Sequence, residues 1–215
     1  MAWLRFAALL LLVPPAQTFP QPVEDSCAVR RPDLVELVLL DSTIRLDIRY
    51  ATANNFVGQP VYSQPRAFLQ RPAALALLKA HRMLLGKGYG LLVFDGYRPW
   101  SVTKKFWEVT PAPLRKFVAN PAKGSRHNRG CAVDLTLYDR RTGRPVPMPS
   151  AYDDFTDQAS PWYEGGTEAE RKMRDLLICV MEGEGFTVES SEWWHFDYKD
   201  WREYGILDIP FEKMN

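Results

Sequence analysis

The sequence predicts a single domain that combines α-helices with β-strands. Residues 44–50 and residues 131–137 alternate apolar and polar positions, the pattern of strands with one buried side. The first of these is expected to pair antiparallel. Two further segments repeat apolar residues at helical intervals: one lies between Pro72 and Gly86, and one follows a capping box at Thr167. No internal repeat or low-complexity segment marks a domain boundary, so we expect one core.

Local signals predict the elements between these segments. Residues 90–94 form a short apolar run typical of a buried strand, and the run ends in a turn at residues 95–99 that halts regular structure. This turn places Arg98 at the end of a strand, where site residues are often presented. Residues 100–109 predict a short helix, and residues 139–144 predict a hairpin-type connection.

Residues 186–198 predict a return to strand structure near the C-terminus. In a regular strand Glu192 and His195 would point to opposite faces, because they are three residues apart. If both serve one site, Glu192 must lie on a turn or bulge just before the strand proper. We therefore expect a local irregularity at this point.

The composition restricts partners and compartment. The 215 residues carry a formal net charge of +1, which gives no bulk attraction to nucleic acid or to a membrane surface. Residues 1–20 combine Arg5, a short apolar run and a Pro-Pro break, the pattern of a secretory signal peptide, although a buried or interfacial helix is the alternative. We expect a leader over residues 21–34, the domain over residues 35–215, no membrane-spanning helix, and a periplasmic or secreted protein.

The three cysteines, Cys27, Cys131 and Cys179, allow at most one disulfide within the chain. Cys131 lies inside a cluster of polar residues and Cys179 among the apolar residues of the C-terminal helix. We interpret both as buried small hydrophobic residues rather than as redox groups or metal ligands.

Two imidazoles and a carboxylate form a candidate metal site. His127 and Asp134 lie seven residues apart, and His195 follows Glu192-Trp193-Trp194. Two histidines and one acidic residue can hold zinc and leave a position open for water, whose pKa the metal lowers toward neutrality. The third histidine, His81, is interpreted as an ordinary imidazole on a solvated helix face.

Further residues fit hydrolysis of a peptide bond. Glu192 is a candidate general base, since the adjacent Trp193 and Trp194 would limit water access and raise the pKa of its carboxyl group. Arg98 is a candidate for stabilising an oxyanion or clamping a substrate carboxylate, and the alternative is a structural salt bridge. Asp153 and Asp154 are weaker candidates for binding a cationic amino group, because a pair of loop aspartates is usually only solvated.

The motif Ser125-x-His127-x-x-Gly130-x-Ala132-x-Asp134, together with Glu192-x-x-His195, resembles the zinc D-alanyl-D-alanine dipeptidases, the VanX-like branch of the zinc D,D-peptidases. The resemblance covers most of the chain from about residue 35 onward. It includes the segments at residues 95–99, 134–138, 146–148, 152–155 and 192–195.

The resemblance implies a role for each site residue. His127, Asp134 and His195 would bind one zinc ion per chain, Glu192 would be the catalytic acid and base, and Arg98 would stabilise the tetrahedral transition state.

The resemblance also implies the substrate and the fold. Ser125 matches a family serine near the substrate, and Asp153 matches an aspartate that receives the amino group of the dipeptide. The implied activity is hydrolysis of D-alanyl-D-alanine to two D-alanines. The implied fold is α+β, a central antiparallel sheet flanked by helices with the metal at its open face. Cys131 departs from the small residue usual at its position, but this change removes no ligand.

Three alternatives remain at this point. A D,D-carboxypeptidase or another cell-wall peptidase shares the ligand spacing but accepts longer chains. A non-catalytic zinc-binding module resembling the hedgehog N-terminal domain shares the fold, although Glu192 and Arg98 argue against it. A non-haem iron oxygenase also uses two histidines and a carboxylate, but its carboxylate usually follows the first histidine by two residues, where this chain has Arg129.

Overall fold

The structure is a computed structural model, and it describes residues 19–22 and 29–214. The predicted signal peptide therefore lies almost entirely outside the described residues, and so does Cys27. Within those residues, no helix combines the length and the apolar character needed to cross a membrane.

The described chain contains short strands, helices and 3-10 segments in mixed order. The strands are β1 (Leu34–Glu36), β2 (Arg45–Leu46), β3 (Phe68–Gln70), β4 (Tyr89–Asp95), β5 (Ala132–Asp139), β6 (Phe186–Glu189) and β7 (Glu192–Tyr198). The α-helices are α1 (Leu37–Leu40), α2 (Arg71–Leu85), α3 (Trp100–Val109) and α4 (Glu168–Gly183). Short 3-10 segments include Arg49–Ala51, Ala112–Phe117, His127–Arg129 and Asp157–Ala159.

A five-stranded sheet in the order β2-β4-β5-β7-β6 forms the centre of the domain. Strands β4, β5, β7 and β6 pair antiparallel, whereas β2 joins the edge parallel to β4. The α+β class is confirmed, and the sheet is mixed rather than wholly antiparallel. Helices α2 and α4 pack against the sheet and against each other. A separate antiparallel pair, β1 with β3, lies outside this sheet.

The prediction of an antiparallel strand over residues 44–50 is wrong in length and direction. Only Arg45–Leu46 form a strand, which pairs parallel with β4, and Arg49–Ala51 form a 3-10 turn. The alternation of apolar and polar residues does reflect burial, because Ile44, Ile48 and Tyr50 are all buried. Alternation records which side chains enter the core, but it carries no information about the partner strand or its direction.

The helical predictions are confirmed, with two corrections to side-chain burial. The capping box of α4 is present: Thr167 accepts from the Glu170 backbone N–H, and the Glu170 carboxylate accepts from Thr167. His81 is fully buried rather than on a solvated face; its ring contacts Thr43 Oγ1 and accepts from the Leu91 backbone N–H. Cys179 is exposed rather than buried, because it points outward from α4.

The two pairings of β7, one irregular and one regular, place site residues near the centre of the sheet. Residues 186–198 form a hairpin of β6 and β7 rather than one strand, and its register shifts at Val188 and Glu189, opposite Glu192. The predicted irregularity near Glu192 is thus confirmed, but Glu192 is the first residue of β7 and does not precede the strand. In the neighbouring pair β5–β7, Asp134 lies directly opposite His195.

Candidate metal centre and active site

Three side-chain atoms from distant parts of the sequence converge at one point. His127 Nε2 lies 3.1 Å from His195 Nδ1 and 3.3 Å from Asp134 Oδ1. The third distance, from His195 Nδ1 to Asp134 Oδ1, is 2.9 Å. Ligands at 2.0–2.1 Å from a tetrahedral zinc ion are about 3.3 Å apart, so these three atoms are spaced as zinc ligands would be. All three residues are buried.

The hydrogen bonds of the two imidazoles leave their inward-facing nitrogens as electron-pair donors. His127 Nδ1 lies 2.7 Å from the Gly96 carbonyl oxygen, and His195 Nε2 lies 2.9 Å from Asp197 Oδ1. Both partners are acceptors, so these ring nitrogens carry the protons in the neutral imidazoles. Two lone pairs and a carboxylate oxygen then face one another, an arrangement that a cation between them stabilises. This carbonyl and carboxylate support of ligating histidines is typical of metal sites.

The second carboxylate oxygen of Asp134 is also bound. Tyr152 donates its hydroxyl to Asp134 Oδ2 at 3.1 Å, and Arg98 Nη2 lies 3.7 Å from the same atom. Burial acts to raise the pKa of Asp134, but the charges and hydrogen bonds of His127 and His195 outweigh it and hold that pKa below its usual range. Asp134 is therefore an anionic ligand at neutral pH.

A tight turn places His127 at the site. His127 belongs to the 3-10 segment His127–Arg129, which ends at Gly130 with a φ of 68°. A side chain at Gly130 would be strained by this φ, and its Cβ would lie 2.4 Å from Leu34 Cδ2. Gly130 therefore allows the chain to turn from His127 into β5, where Asp134 follows.

The metal site lies in a pocket of about 270 Å³. None of its lining residues comes from α2 or α4. The structure brings all seven sequence-predicted site residues to this pocket: Arg98, Ser125, His127, Asp134, Asp153, Glu192 and His195.

Glu192 stands beside the metal ligands at the start of β7. Its Oε2 lies 4.0 Å from His195 Nδ1, and its side chain is 22% exposed. Burial raises the pKa of Glu192 to about 8, and the neighbouring Asp134 charge adds to this effect. A carboxyl group with such a pKa can exchange protons near neutral pH, as a general acid and base must.

Arg98 forms a buried ion pair within its own turn. Its Nε and Nη2 donate to Asp95 Oδ2 at 2.9 and 2.7 Å, and its guanidinium lies 4.8 Å from the centroid of Phe106. The salt bridge that the sequence left as an alternative thus exists, yet Arg98 also lines the pocket. Tyr62 donates to the other Asp95 oxygen at 2.7 Å, so the carboxylate that holds Arg98 is itself fixed.

Asp153 lines the pocket from the loop between β5 and α4. Its φ is +59°, an unusual backbone conformation for a residue other than glycine. The Tyr50 hydroxyl donates to both Asp153 carboxylate oxygens at 3.1 Å. Burial and the nearby Asp134 charge raise the pKa of Asp153 to about 7. A half-buried carboxylate that accepts from a neutral hydroxyl is a suitable site for a cationic ligand.

Ser125 lies at the entrance to the His127 turn. Its Oγ accepts from the His127 backbone N–H at 3.2 Å, and its backbone N–H donates to Asn128 Oδ1 at 2.8 Å. Asn128 is fully buried and donates to the Arg98 carbonyl oxygen at 2.8 Å. The segments that carry Ser125, His127 and Arg98 are therefore fixed to one another.

Residues 30–208 match the Peptidase M15 family, described as D-ala-D-ala dipeptidase. This match spans most of the chain. The chain belongs to this family. The M15 assignment is supported by two relatives named D-alanyl-D-alanine dipeptidase. The Escherichia coli (strain K12) protein is 33% identical over 179 residues, 83% of this chain and 91% of that protein. The Enterococcus faecium protein is 38% identical over 176 residues, 73% of this chain and 87% of that protein.

Among solved structures, one match is the vancomycin resistance D,D-dipeptidase VanXYg in complex with a D-Ala-D-Ala phosphinate analog. It has 21% identity and a TM-score of 0.42, and the match covers 64% of this chain. It covers 53% of that structure's chain, so the present protein spans about half its length.

M15 membership and the His-Asp-His geometry together identify a zinc peptidase. Zinc is the cofactor, and His127, Asp134 and His195 are the described residues whose donor atoms fit it. Membership of the M15 family supports a zinc peptidase and argues against the two alternatives of a non-catalytic zinc-binding module and a non-haem iron oxygenase.

Sequence reasoning missed four residues that support the site. They are Tyr50, Asp95, Tyr152 and Asp197. Asp197 carried a usable signal, because it lies two residues after His195 and so shares its strand face. Asp95 precedes Arg98 by three residues in the same turn, whereas Tyr50 and Tyr152 meet the site only through tertiary packing.

Proposed function

We propose that this M15 protein hydrolyses D-alanyl-D-alanine to two D-alanines. The observation that carries the proposal is the convergence, in one pocket of about 270 Å³, of the three metal ligands with Glu192 and Asp153. This pocket is at or below the lower end of the range typical of small-molecule sites, roughly 300–1,000 Å³, which favours a substrate as small as a dipeptide. The relatives that share most of the chain carry the name of this activity.

Zinc bound by the three ligands would polarise the scissile carbonyl and lower the pKa of water. Glu192 accepts the proton of the attacking water, because its Oε2 lies 4.0 Å from the ligand atom of His195. It then delivers this proton to the leaving amine. Burial raises the pKa of Glu192, which suits a group that must be deprotonated in one step and protonated in the next.

Arg98 stabilises the negative charge that develops on the carbonyl oxygen during attack. Its ion pair with Asp95 fixes the guanidinium before substrate arrives, and this prior fixing is what makes such charge stabilisation effective. The guanidinium also lies 3.7 Å from Asp134 Oδ2, which places it beside the metal ligands.

Asp153 and Ser125 position the two ends of the dipeptide. The Asp153 carboxylate, held by Tyr50, binds the substrate ammonium group. Ser125, on the His127 side of the pocket, contacts the remainder of the substrate. A free amino group is thus a requirement for good binding, which separates a dipeptide from an internal peptide bond.

The compartment is proposed from the N-terminal sequence. We infer export to the periplasm or the cell exterior, with removal of residues 1–20, from the signal-peptide pattern described above. N-terminal sequencing of protein recovered from the periplasmic or external fraction tests this; an uncleaved N-terminus found in the cytoplasm would refute it.

The function is tested by release of free alanine, of either configuration, from three substrates offered to the zinc-loaded protein. D-alanyl-D-alanine is compared with L-alanyl-L-alanine and with a pentapeptide ending in D-alanyl-D-alanine, and Glu192→Gln is the inactive control. We expect rapid cleavage of the free D,D-dipeptide alone. Equal cleavage of the pentapeptide would reassign the protein as a D,D-carboxypeptidase, and cleavage of none would refute the proposal.

A further inference from the structure

Two stacked aromatic rings close one side of the active-site pocket. The centroids of Phe117 and Phe155 are 5.3 Å apart and their planes are 5° from parallel. Phe56 packs on Phe155 with centroids 5.4 Å apart, and all three rings line the pocket. Phe117 comes from the 3-10 segment Ala112–Phe117, and Phe155 comes from the loop after β5. The stacked pair, here called the barrier, therefore forms only when these two segments pack against each other.

A second depression, here called the outer groove, adjoins the pocket behind these rings. Its volume is about 590 Å³, and Phe117 and Ser191 line both spaces. The outer groove is further lined by Asp157, Trp162, Tyr163 and Glu164, among others. Trp162 is 67% exposed, so an aromatic surface is open to a ligand there.

The barrier stands where a longer substrate would have to pass. If Asp153 binds the substrate ammonium group, as the proposed function requires, the chain of a tripeptide would continue beyond Asp153. Phe155 follows Asp153 by two residues and lines the same pocket. Phe117 lies between this position and the outer groove, because it lines both spaces, as Ser191 also does.

We propose that the Phe117–Phe155 pair is the specificity-determining barrier that limits this enzyme to dipeptides. The outer groove is the space that a third residue would enter if the barrier were removed. This inference rests on the proposed function and deepens it.

The charge of the outer groove indicates which third residue it would accept. Asp157 and Glu164 contribute carboxylates, and within the described part of the chain no lysine or arginine lines the groove. A cationic side chain is therefore favoured over an anionic one. Trp162 adds an aromatic face on which such a cation can rest.

The test compares the native enzyme with Phe117→Ala, Phe155→Ala and the double variant. Each is offered D-alanyl-D-alanine, L-lysyl-D-alanyl-D-alanine and L-glutamyl-D-alanyl-D-alanine, and release of the terminal D-alanine is measured. We expect the double variant to cleave the lysyl tripeptide at least about tenfold faster than the native enzyme and to prefer it over the glutamyl tripeptide.

Two matched variants separate an opened groove from a loosened pocket. Phe56 belongs to the same aromatic cluster but does not line the outer groove. Phe56→Ala should therefore not increase the rate of tripeptide cleavage. Asp157→Trp fills the groove; it should abolish the gain in the double-variant background and leave dipeptide cleavage by the native enzyme unchanged. Phe117→Leu and Phe155→Leu keep apolar bulk if the alanine variants fail to retain zinc.

Dipeptide hydrolysis in every variant serves as the internal control. Variants that cleave the dipeptide but gain no tripeptide activity overturn the inference, as does a gain that survives Asp157→Trp or appears equally in Phe56→Ala. Comparable cleavage of dipeptide and tripeptides by the native enzyme overturns it as well. Absence of native dipeptide cleavage would instead refute the proposed function, and the inference with it.

Discussion

Asp197 Oδ1 lies 2.9 Å from His195 Nε2, on the side of the imidazole opposite the metal site. The two residues are neighbours on one face of β7. Arg126 Nε in turn lies 3.3 Å from Asp197 Oδ2, with its guanidinium 4.9 Å from the Trp201 ring centroid. A chain of contacts thus runs from the protein surface to a zinc ligand and fixes the orientation of that ligand.

The contact between Asp197 and His195 predicts a loss of metal affinity in Asp197→Ala. Without the carboxylate, the His195 ring is free to rotate and is a weaker ligand, and we expect zinc affinity to fall about 10–100-fold. Competition with a chromogenic chelator measures this directly. Glu182→Gln, an exposed position on α4, is the matched control. Unchanged zinc affinity in Asp197→Ala would show that His195 is held by the fold alone.

Variants of Glu192 and His195 should separate catalysis from metal binding. Glu192→Ala should keep zinc and lose about 10²–10⁴-fold in kcat, because it removes the proton-transfer group but no ligand. His195→Ala should lose both zinc and activity. Zinc content by atomic absorption, measured beside turnover, distinguishes the two. Activity in Glu192→Ala within a few-fold of the native value would remove Glu192 as the base.

Asp153→Asn should raise KM for the dipeptide more than it lowers kcat. The asparagine keeps the size of the side chain but loses the charge that binds the substrate ammonium group. Tyr50→Phe should have a smaller effect of the same kind, since the carboxylate remains and only its donor is lost. Steady-state kinetics with the free dipeptide give both parameters. If Asp153→Asn lowered kcat/KM for an N-acetylated dipeptide by the same factor as for the free dipeptide, a role for Asp153 in ammonium binding would be contradicted.

The raised pKa of Glu192 predicts a pH-dependent stability cost in the metal-free protein. Its folded pKa of about 8 exceeds the ordinary value of 4.5, so the folded state holds the proton more tightly than the unfolded state. The group therefore costs nothing below pH 4.5, and its cost grows as pH rises toward 8. At pH 8 we expect the melting temperature of metal-free Glu192→Gln to be at least about 2 °C above that of the native protein. At pH 4 we expect the two melting temperatures to be equal.

The comparison must be made in chelator, because zinc would favour the charged carboxylate. Glu182→Gln again serves as control and should follow the native protein at both pH values. If Glu192→Gln raised the melting temperature by the same amount at pH 4 and at pH 8, ionisation of Glu192 would not be the source of the increase.

The sequence by itself determined the helices and the chemistry of the site. Proline, glycine and capping-box signals act within a few residues, so α2 and α4 were predictable from their own segments. The metal ligands His127, Asp134 and His195 were recognisable from residue type, spacing and neighbours. The irregularity near Glu192 followed from a conflict between strand period and a shared site.

Only the tertiary structure decided the direction of β2, the burial of His81 and the residues that support the site. Tyr50 and Tyr152 meet Asp153 and Asp134 because separate segments dock against one another, and these two contacts span 103 and 18 positions in sequence. Local patterns record which side chains are buried. They do not record which distant residue is met there, because that depends on how the whole core packs.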